Sequence, residues 1–70
     1  MREAWVEVRQ DNGKVVFTGI VRPESPAEVQ GSPPFRLTIG RASSVEVTYR
    51  GIPVDLRPYT RDDVARLEVR

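Results

Sequence analysis

The feature that most limits what this chain can fold into is a repeated alternation of apolar and polar residues over short runs. In residues 4–9, Val6 and Val8 share one face and Glu7 and Arg9 share the other. The same period of two returns in residues 35–39, 45–50 and 65–70. This period is typical of half-buried strands, so we expect four of them here. The side chains predicted to face the core in the last three runs are Phe35, Leu37, Ile39, Val45, Val47, Tyr49, Ala65, Leu67 and Val69.

Turn-forming residues separate these runs. Asp11-Asn12-Gly13 predicts a hairpin between the first strand and a second strand in residues 14–21. Residues 40–44 form a loop by composition, and Gly51 begins a tight turn before Val54 and Leu56. Six to seven short strands joined in this way predict a single all-β domain over residues 1–70. We expect a small antiparallel β-sandwich or barrel.

Three segments allow a finer prediction. Gly19 interrupts the second strand and predicts a β-bulge, which would place Ile20 in the core with Val15 and Phe17. Residues 27–30 form at most a short strand. Residues 60–63, Thr-Arg-Asp-Asp, have the form of a helix capping box, for which we allow one helical turn before a closing strand from about residue 64.

Size and charge exclude several classes of function. A 70-residue chain buries only about 60% of its unfolded surface. We therefore expect no side chains to spare for a small-molecule pocket of roughly 300 Å³ or more, and no small-molecule substrate. A net charge of +1, spread along the chain, argues against nucleic acid as a partner. No run approaches the roughly 20 apolar residues that span a bilayer, so we expect no direct membrane insertion by this fragment.

The chain lacks the usual groups for catalysis. Histidine and cysteine are both absent, which removes the commonest general base, thiolate nucleophiles and the commonest metal ligands. The strand carboxylates occupy polar-face positions, and Asp62 and Asp63 are adjacent rather than convergent. We therefore predict no enzymatic activity, no metal and no cofactor.

Trp5 and Tyr59 are the aromatic residues most suited to binding, and Arg57 and Arg61 flank Tyr59. Trp5 shares the parity of Glu7 and should point outward. Trp5 either covers an open end of the sandwich or forms an exposed anchor for a partner. Tyr59 likewise either packs against the domain or contacts a partner. Aromatic and guanidinium groups together are typical of protein interface centres. We therefore predict a partner-binding site at Trp5, Arg57, Tyr59 and Arg61.

An ordered series of short motifs points to a family. Over about residues 5–69 the chain resembles the C-terminal domain of the bacterial cell-shape protein RodZ. The motifs are Trp5-Val6-Glu7-Val8, Asp11-Asn12-Gly13-Lys14, Gly19, Pro33-Pro34-Phe35, Leu37-Thr38-Ile39-Gly40, Val45-Glu46-Val47, Gly51, Pro53-Val54-Asp55-Leu56 and Val64-Ala65-Arg66.

The resemblance implies a place in a larger protein. In that family a cytoplasmic helix-turn-helix domain binds the actin-like protein MreB, and a single transmembrane helix leads to this domain outside the inner membrane. It therefore implies a periplasmic domain of a single-pass inner-membrane protein with a role in lateral cell-wall synthesis. The family lends no functional residues to this chain.

Together these points predict a protein-interaction module that contributes to rod-shape maintenance. Its expected partners are the periplasmic parts of wall-synthesis or shape-complex proteins. The alternative is a carbohydrate-binding module that contacts peptidoglycan glycan, with Trp5 or Tyr59 as a stacking platform. That alternative is weakened by an aromatic content of 7% and by the lack of two outward aromatics on neighbouring strand positions.

Overall fold

The computed structural model describes residues 3–22 and 27–70, and these residues form an antiparallel all-β domain. This confirms the predicted fold class. The strands are β1 (Ala4–Arg9), β2 (Val15–Val21), β3 (Phe35–Gly40), β4 (Val47–Tyr49), β5 (Ile52–Val54), β6 (Thr60–Arg61) and β7 (Val64–Val69). Two single 3-10 turns, Ala42–Ser44 and Arg57–Tyr59, are the only helical segments in the described part of the chain.

The strands form two sheets of unequal size. Five of them lie in the order β2-β1-β3-β7-β6, and β4 and β5 form a separate two-stranded sheet. Every strand pair is antiparallel. The large sheet therefore has β3 at its centre and β2 and β6 at its edges.

Strand register places the predicted apolar residues on one face of the large sheet, which we call the inner face. Val6 pairs with Ile39, which pairs in turn with Ala65. Ile39 and Ala65 are fully buried, as expected at the centre of the core. The core cluster contains Val6, Val8, Phe35, Ile39, Ala42, Leu56, Ala65 and Leu67. Val45, Val47, Tyr49 and Val54 pack against it, so the β4–β5 hairpin covers part of the inner face.

The bulge predicted at Gly19 is wrong. The bulge lies three residues earlier in β2. Val8 pairs with Phe17 but Arg9 pairs with Val15, which leaves Val16 as the extra residue. Gly19 stays in register with Val6. The bulge exchanges the inward and outward positions of β2 before Phe17. Val21 therefore packs against the core, whereas Ile20 points outward and is 51% exposed.

The helical turn predicted at residues 60–63 is also wrong. Thr60–Arg61 is strand β6, and Asp62 and Asp63 form a two-residue hairpin loop with φ of 53° and 62°. A two-residue turn with positive φ at both positions has a twist that matches the right-handed twist of the two strands it joins. A helical turn would not match that twist. Strand β7 begins at Val64 as predicted. Residues 27–30 do not form a strand, and β4 is shorter than the predicted run at 45–50.

Asp63 ties this hairpin loop to the first 3-10 turn. Its carboxylate accepts hydrogen bonds from the Ser43 backbone N–H at 2.8 Å and from the Ser43 hydroxyl at 3.1 Å. Its backbone carbonyl accepts from the Ala42 N–H at 2.9 Å. Asp63 therefore caps a turn that lies 20 residues away in sequence.

The expectation that no sizeable cavity remains is wrong. A cleft of about 420 Å³ lies over the inner faces of β1, β2 and β3, between residues 27–29 on one side and 45–49 on the other. Its walls are mainly apolar and include Phe17, Leu37 and Tyr49. Among the described residues, the small sheet has only two strands, and they leave this part of the inner face uncovered.

Candidate interaction surface

The outer face of the large sheet carries the residues that alternate with the core. Toward one end of the strands this face is charged. Glu7 pairs with Arg9 at 3.1 Å, and Glu68 pairs with Arg36 at 3.6 Å and with Arg70 at 3.3 Å. These pairs lie on the surface and contribute little to stability. They do keep this part of the face hydrated.

The other end of the outer face is apolar. Trp5 on β1 is flanked by Ile20 on β2 and by Gly40 on β3, and Gly40 is paired with Val64 on β7. We call Ile20, Trp5, Gly40 and Val64 the apolar row. Trp5 is 43% exposed and Ile20 is 51% exposed, and directly opposed residues on one face lie about 5 Å apart. The row therefore presents a continuous apolar strip to solvent.

Trp5 lies against Gly40. A Cβ atom placed on Gly40 would be 3.7 Å from the Trp5 Cβ and 3.9 Å from its ring atom Cε3. The indole thus rests on the outer face over a neighbouring strand. The alternative in which Trp5 covers an open end of the sandwich is therefore wrong, and the outward orientation predicted from its parity is right.

Arg61 extends the apolar row by one strand. Arg61 pairs with Val64, which pairs with Gly40, and Gly40 pairs with Trp5. Directly paired residues face the same side of a sheet, so Arg61 lies on the same face as Trp5, three strands away. At about 4.8 Å per strand, the two positions lie roughly 14 Å apart. Arg61 forms no ion pair with any described residue.

Arg57 is held in a local ion pair. Its Nε and one terminal nitrogen both donate to the Asp55 carboxylate at 3.0 Å, and its backbone N–H donates to Asp55 Oδ1 at 3.0 Å. These hydrogen bonds lower the pKa of Asp55 below its ordinary value of 3.8. Arg57 is therefore committed to a neighbour in its own loop, which leaves it less available to a partner than Arg61.

Tyr59 lies in the second 3-10 turn, just before edge strand β6, and is 51% exposed. No described hydrogen bond or ion pair links it to Trp5. The structure thus places Trp5 and Arg61 on one face and leaves Tyr59 and Arg57 together at the sheet edge. Whether any of the four binds a partner stays a prediction.

Ile20 is the surface residue that sequence reasoning missed. Its exposure depends on where the β2 bulge falls. The run Val15-Val16 could have signalled a bulge ahead of Phe17, since two adjacent apolar residues at a strand start break the period of two.

The described residues do not assemble a metal site. No three acidic side chains in residues 3–22 and 27–70 lie close enough to share an ion. Nor does that part of the chain contain a helix long and apolar enough to cross a membrane. The outer face offers apolar area beside Arg61, whose guanidinium has no ion-pair partner in residues 3–22 and 27–70.

Fold and surface together define a small antiparallel β domain that exposes large apolar side chains on the outer face of its five-stranded sheet. The RodZ C-terminal domain family model matches residues 1–68, nearly the whole chain. The chain belongs to the RodZ C-terminal domain family. Membership in that family supports a role related to cell shape. No solved structure matches the chain.

Proposed function

We propose that this chain is a non-catalytic protein-interaction module of a RodZ-like membrane protein, acting in the periplasm. Its partners are the periplasmic parts of proteins that build the lateral wall or maintain rod shape. Family membership supports the cellular role. The binding role is our inference from the surface.

The observation that carries this proposal is the cross-strand pair of Trp5 and Ile20, both about half exposed on the outer face. Large apolar side chains usually lie in the core, and an exposed contiguous apolar patch marks an interaction site more often than chance. A Trp beside an aliphatic residue, with hydrated charges around them, resembles the centre and rim of a protein interface.

Arg61 fits the same role. Its guanidinium lies at the end of the apolar row and has no described ion-pair partner, so it can pair with a carboxylate on another protein. Such a rim charge mainly speeds association and favours the correct orientation. The outer face therefore combines an apolar centre with a directing charge.

The test compares the apolar row with an exposed apolar residue elsewhere. Ile52, on the β4–β5 hairpin, is 68% exposed and serves as a matched control for Ile20. Photo-crosslinking residues are placed at Trp5, Ile20, Arg61 or Ile52 of the full-length protein in cells. We expect Trp5 and Ile20 to crosslink to the same protein, and Ile52 not to crosslink to that protein.

Substitution gives the expected magnitude. Truncating an interface anchor costs about 2 kcal/mol, or roughly a thirtyfold loss of affinity. We expect Trp5→Ala or Ile20→Ala to weaken capture of the crosslinked partner by about this factor, while Ile52→Ala leaves it unchanged. Equal effects at Ile20 and Ile52 would contradict the proposal.

A nuclear magnetic resonance titration with soluble wall fragments addresses the carbohydrate-binding alternative. Under our proposal, the resonances of Trp5 and its neighbours do not move. Saturable shifts around Trp5, together with an absence of protein crosslinks, would replace the proposed function with glycan binding.

A further inference from the structure

The free edge of β4 is a second feature that the proposed function does not use. Strand β4 pairs with β5 alone among the described strands. Thr48 lies opposite Pro53, which has no N–H group, so these two residues cannot exchange a pair of backbone hydrogen bonds. In an antiparallel ladder, a residue that exchanges no hydrogen bonds with the residue opposite points its own N–H and C=O away from the partner strand.

The backbone groups of Thr48 therefore face the open side of β4. Strand β4 has no second partner among the described strands, and no described turn or loop backbone group bonds to Thr48. Unpaired strand groups of this kind are a template for pairing with another extended chain. A strand added here would be hydrogen-bonded to the small sheet and extend it to three strands.

The cleft lies on this same side. Thr48, Val47 and Tyr49 of β4 line it, and no residue of β5 does. A strand that pairs with β4 would therefore lie above the uncovered part of the inner face. Every second side chain would point down into an apolar space of about 420 Å³.

One buried polar atom supports this placement. The hydroxyl of Tyr49 is shielded from solvent and has no hydrogen-bond partner among the described residues. Buried polar groups normally find a partner, so an orphan one in a residue that lines the cleft marks this wall as incompletely satisfied in the free chain.

The rim of the cleft is acidic. Glu28 and Glu46 both line it, both are exposed, and neither forms an ion pair with a described residue. Side chains of an added strand that point away from the core would pass near these carboxylates. Charge complementarity therefore favours a strand with basic residues between its apolar ones.

We propose that the β4 edge and the cleft bind an extended segment of a partner protein by β-strand addition. The segment carries apolar residues at every second position and basic residues between them. Main-chain pairing with Thr48 supplies affinity, and the cleft supplies selection for the alternating pattern. This site is separate from the apolar row and does not depend on it.

The probe is a labelled nine-residue peptide in which Lys and Val alternate. A control peptide of the same composition has its valines in one block, and a second control replaces Lys with Glu. We expect the alternating peptide to bind, with nuclear magnetic resonance shifts at residues 46–49. Both control peptides should bind at least about tenfold more weakly, because the block pattern cannot fill the cleft and Glu is repelled at its rim.

Variants of Thr48 separate strand pairing from other contacts. Thr48→Pro replaces the side chain and removes an N–H that β5 does not use, whereas Thr48→Val replaces the side chain and keeps the N–H. We expect Thr48→Pro to weaken binding at least about tenfold relative to Thr48→Val, as expected for a lost hydrogen bond and a blocked edge. If Thr48→Pro fails to fold, Glu46→Lys keeps the proposal testable, with an expected loss of up to about fivefold.

Absence of binding by the alternating peptide would overturn the proposal. So would equal binding to Thr48→Pro and Thr48→Val, or shifts confined to Trp5 and Ile20. Trp5→Ala should leave peptide binding unchanged. A failure at this site is therefore distinguishable from a failure of the proposed function, which is tested on the opposite face of the sheet.

Discussion

Trp5 on β1 lies directly opposite Gly40 on β3, and its indole rests over the glycine backbone. The contact lies at the centre of the apolar row. It also leaves room for a methyl group, because an added Cβ would make ordinary van der Waals contacts at 3.7 to 3.9 Å.

Gly40→Ala should therefore stabilise the chain by about 0.4 to 1 kcal/mol, since alanine restricts the unfolded chain and costs no clash in the folded one. Urea unfolding followed by tryptophan fluorescence measures the change. Gly51→Ala is the matched control. Gly51 has a φ of 79°, so alanine there should destabilise by about 1 kcal/mol. Destabilisation by Gly40→Ala would show that the indole packs more tightly on β3 than these distances indicate.

Removing the Tyr49 hydroxyl should not harm the free chain. That oxygen is buried without a described partner, and its ring packs edge-on against Phe35 at 6.0 Å between centroids. Tyr49→Phe keeps the ring and removes the unsatisfied group, so stability should stay constant or rise by up to about 1 kcal/mol. Chemical denaturation of Tyr49→Phe, with the exposed Tyr59→Phe as the control, tests this. A loss above about 1 kcal/mol would mean that the hydroxyl is bonded in solution.

The carboxylate of Asp63 should contribute more to the stability of the chain than its exposed position indicates. Asp63→Ala removes both hydrogen bonds to Ser43 and places alanine at a φ of 62°, so we expect a loss of about 1 to 2 kcal/mol. Asp63→Asn keeps one acceptor and tolerates the left-handed backbone, and should lose about half as much. Thermal and urea unfolding of the two variants give the comparison. Equal stabilities would show that the cap is not formed.

The Asp55–Arg57 pair predicts a pH effect of definite sign. Hydrogen bonds from Arg57 lower the folded-state pKa of Asp55 below 3.8, so folding favours the ionised carboxylate. This contribution is present above the unfolded-state pKa and is lost as pH falls through the lower folded-state pKa. Because both groups are solvent-exposed, the effect on stability should be small.

Carbon-detected nuclear magnetic resonance of the Asp55 carboxyl measures that pKa directly. Arg57→Gln should raise it toward 3.8, because the guanidinium hydrogen bonds are its largest cause. Asp62, which makes no described side-chain hydrogen bond, serves as the internal comparison in the same spectra. An unchanged pKa of Asp55 in Arg57→Gln would contradict the two hydrogen bonds from the Arg57 guanidinium to the Asp55 carboxylate.

Period-two alternation predicted the strands because burial on one face of a sheet requires it. Val6, Ile39 and Leu67 were all assigned to the core from this pattern, and each is buried. The pattern failed where a bulge shifted the phase. A bulge at Val16 and one at Gly19 both keep Phe17 in the core, and the cross-strand register with β1 shows that the bulge at Val16 is the one that forms.

The surface was less predictable, for a different reason. The parity of Trp5 gave its outward direction, but its contact with Gly40 depends on β1 lying beside β3. Residues 60–63 were misread because a capping box and a hairpin loop share the same residue types. What decides between them is the long-range bond from Ser43 to Asp63. The cleft was missed because the number of strands in the second sheet cannot be read from local sequence.

The two edges of the large sheet differ in length and in chemistry. At one side β6 offers only two residues, one of them Arg61. At the other side β2 offers seven residues, Val15–Val21, without a charge or a proline, and it pairs with β1 alone among the described strands. Uncharged edges of this length are the ones along which sheets grow by adding further chains. Lateral growth of the large sheet is therefore one-sided. At high protein concentration, copies that join through this sheet should pair at β2 rather than at β6.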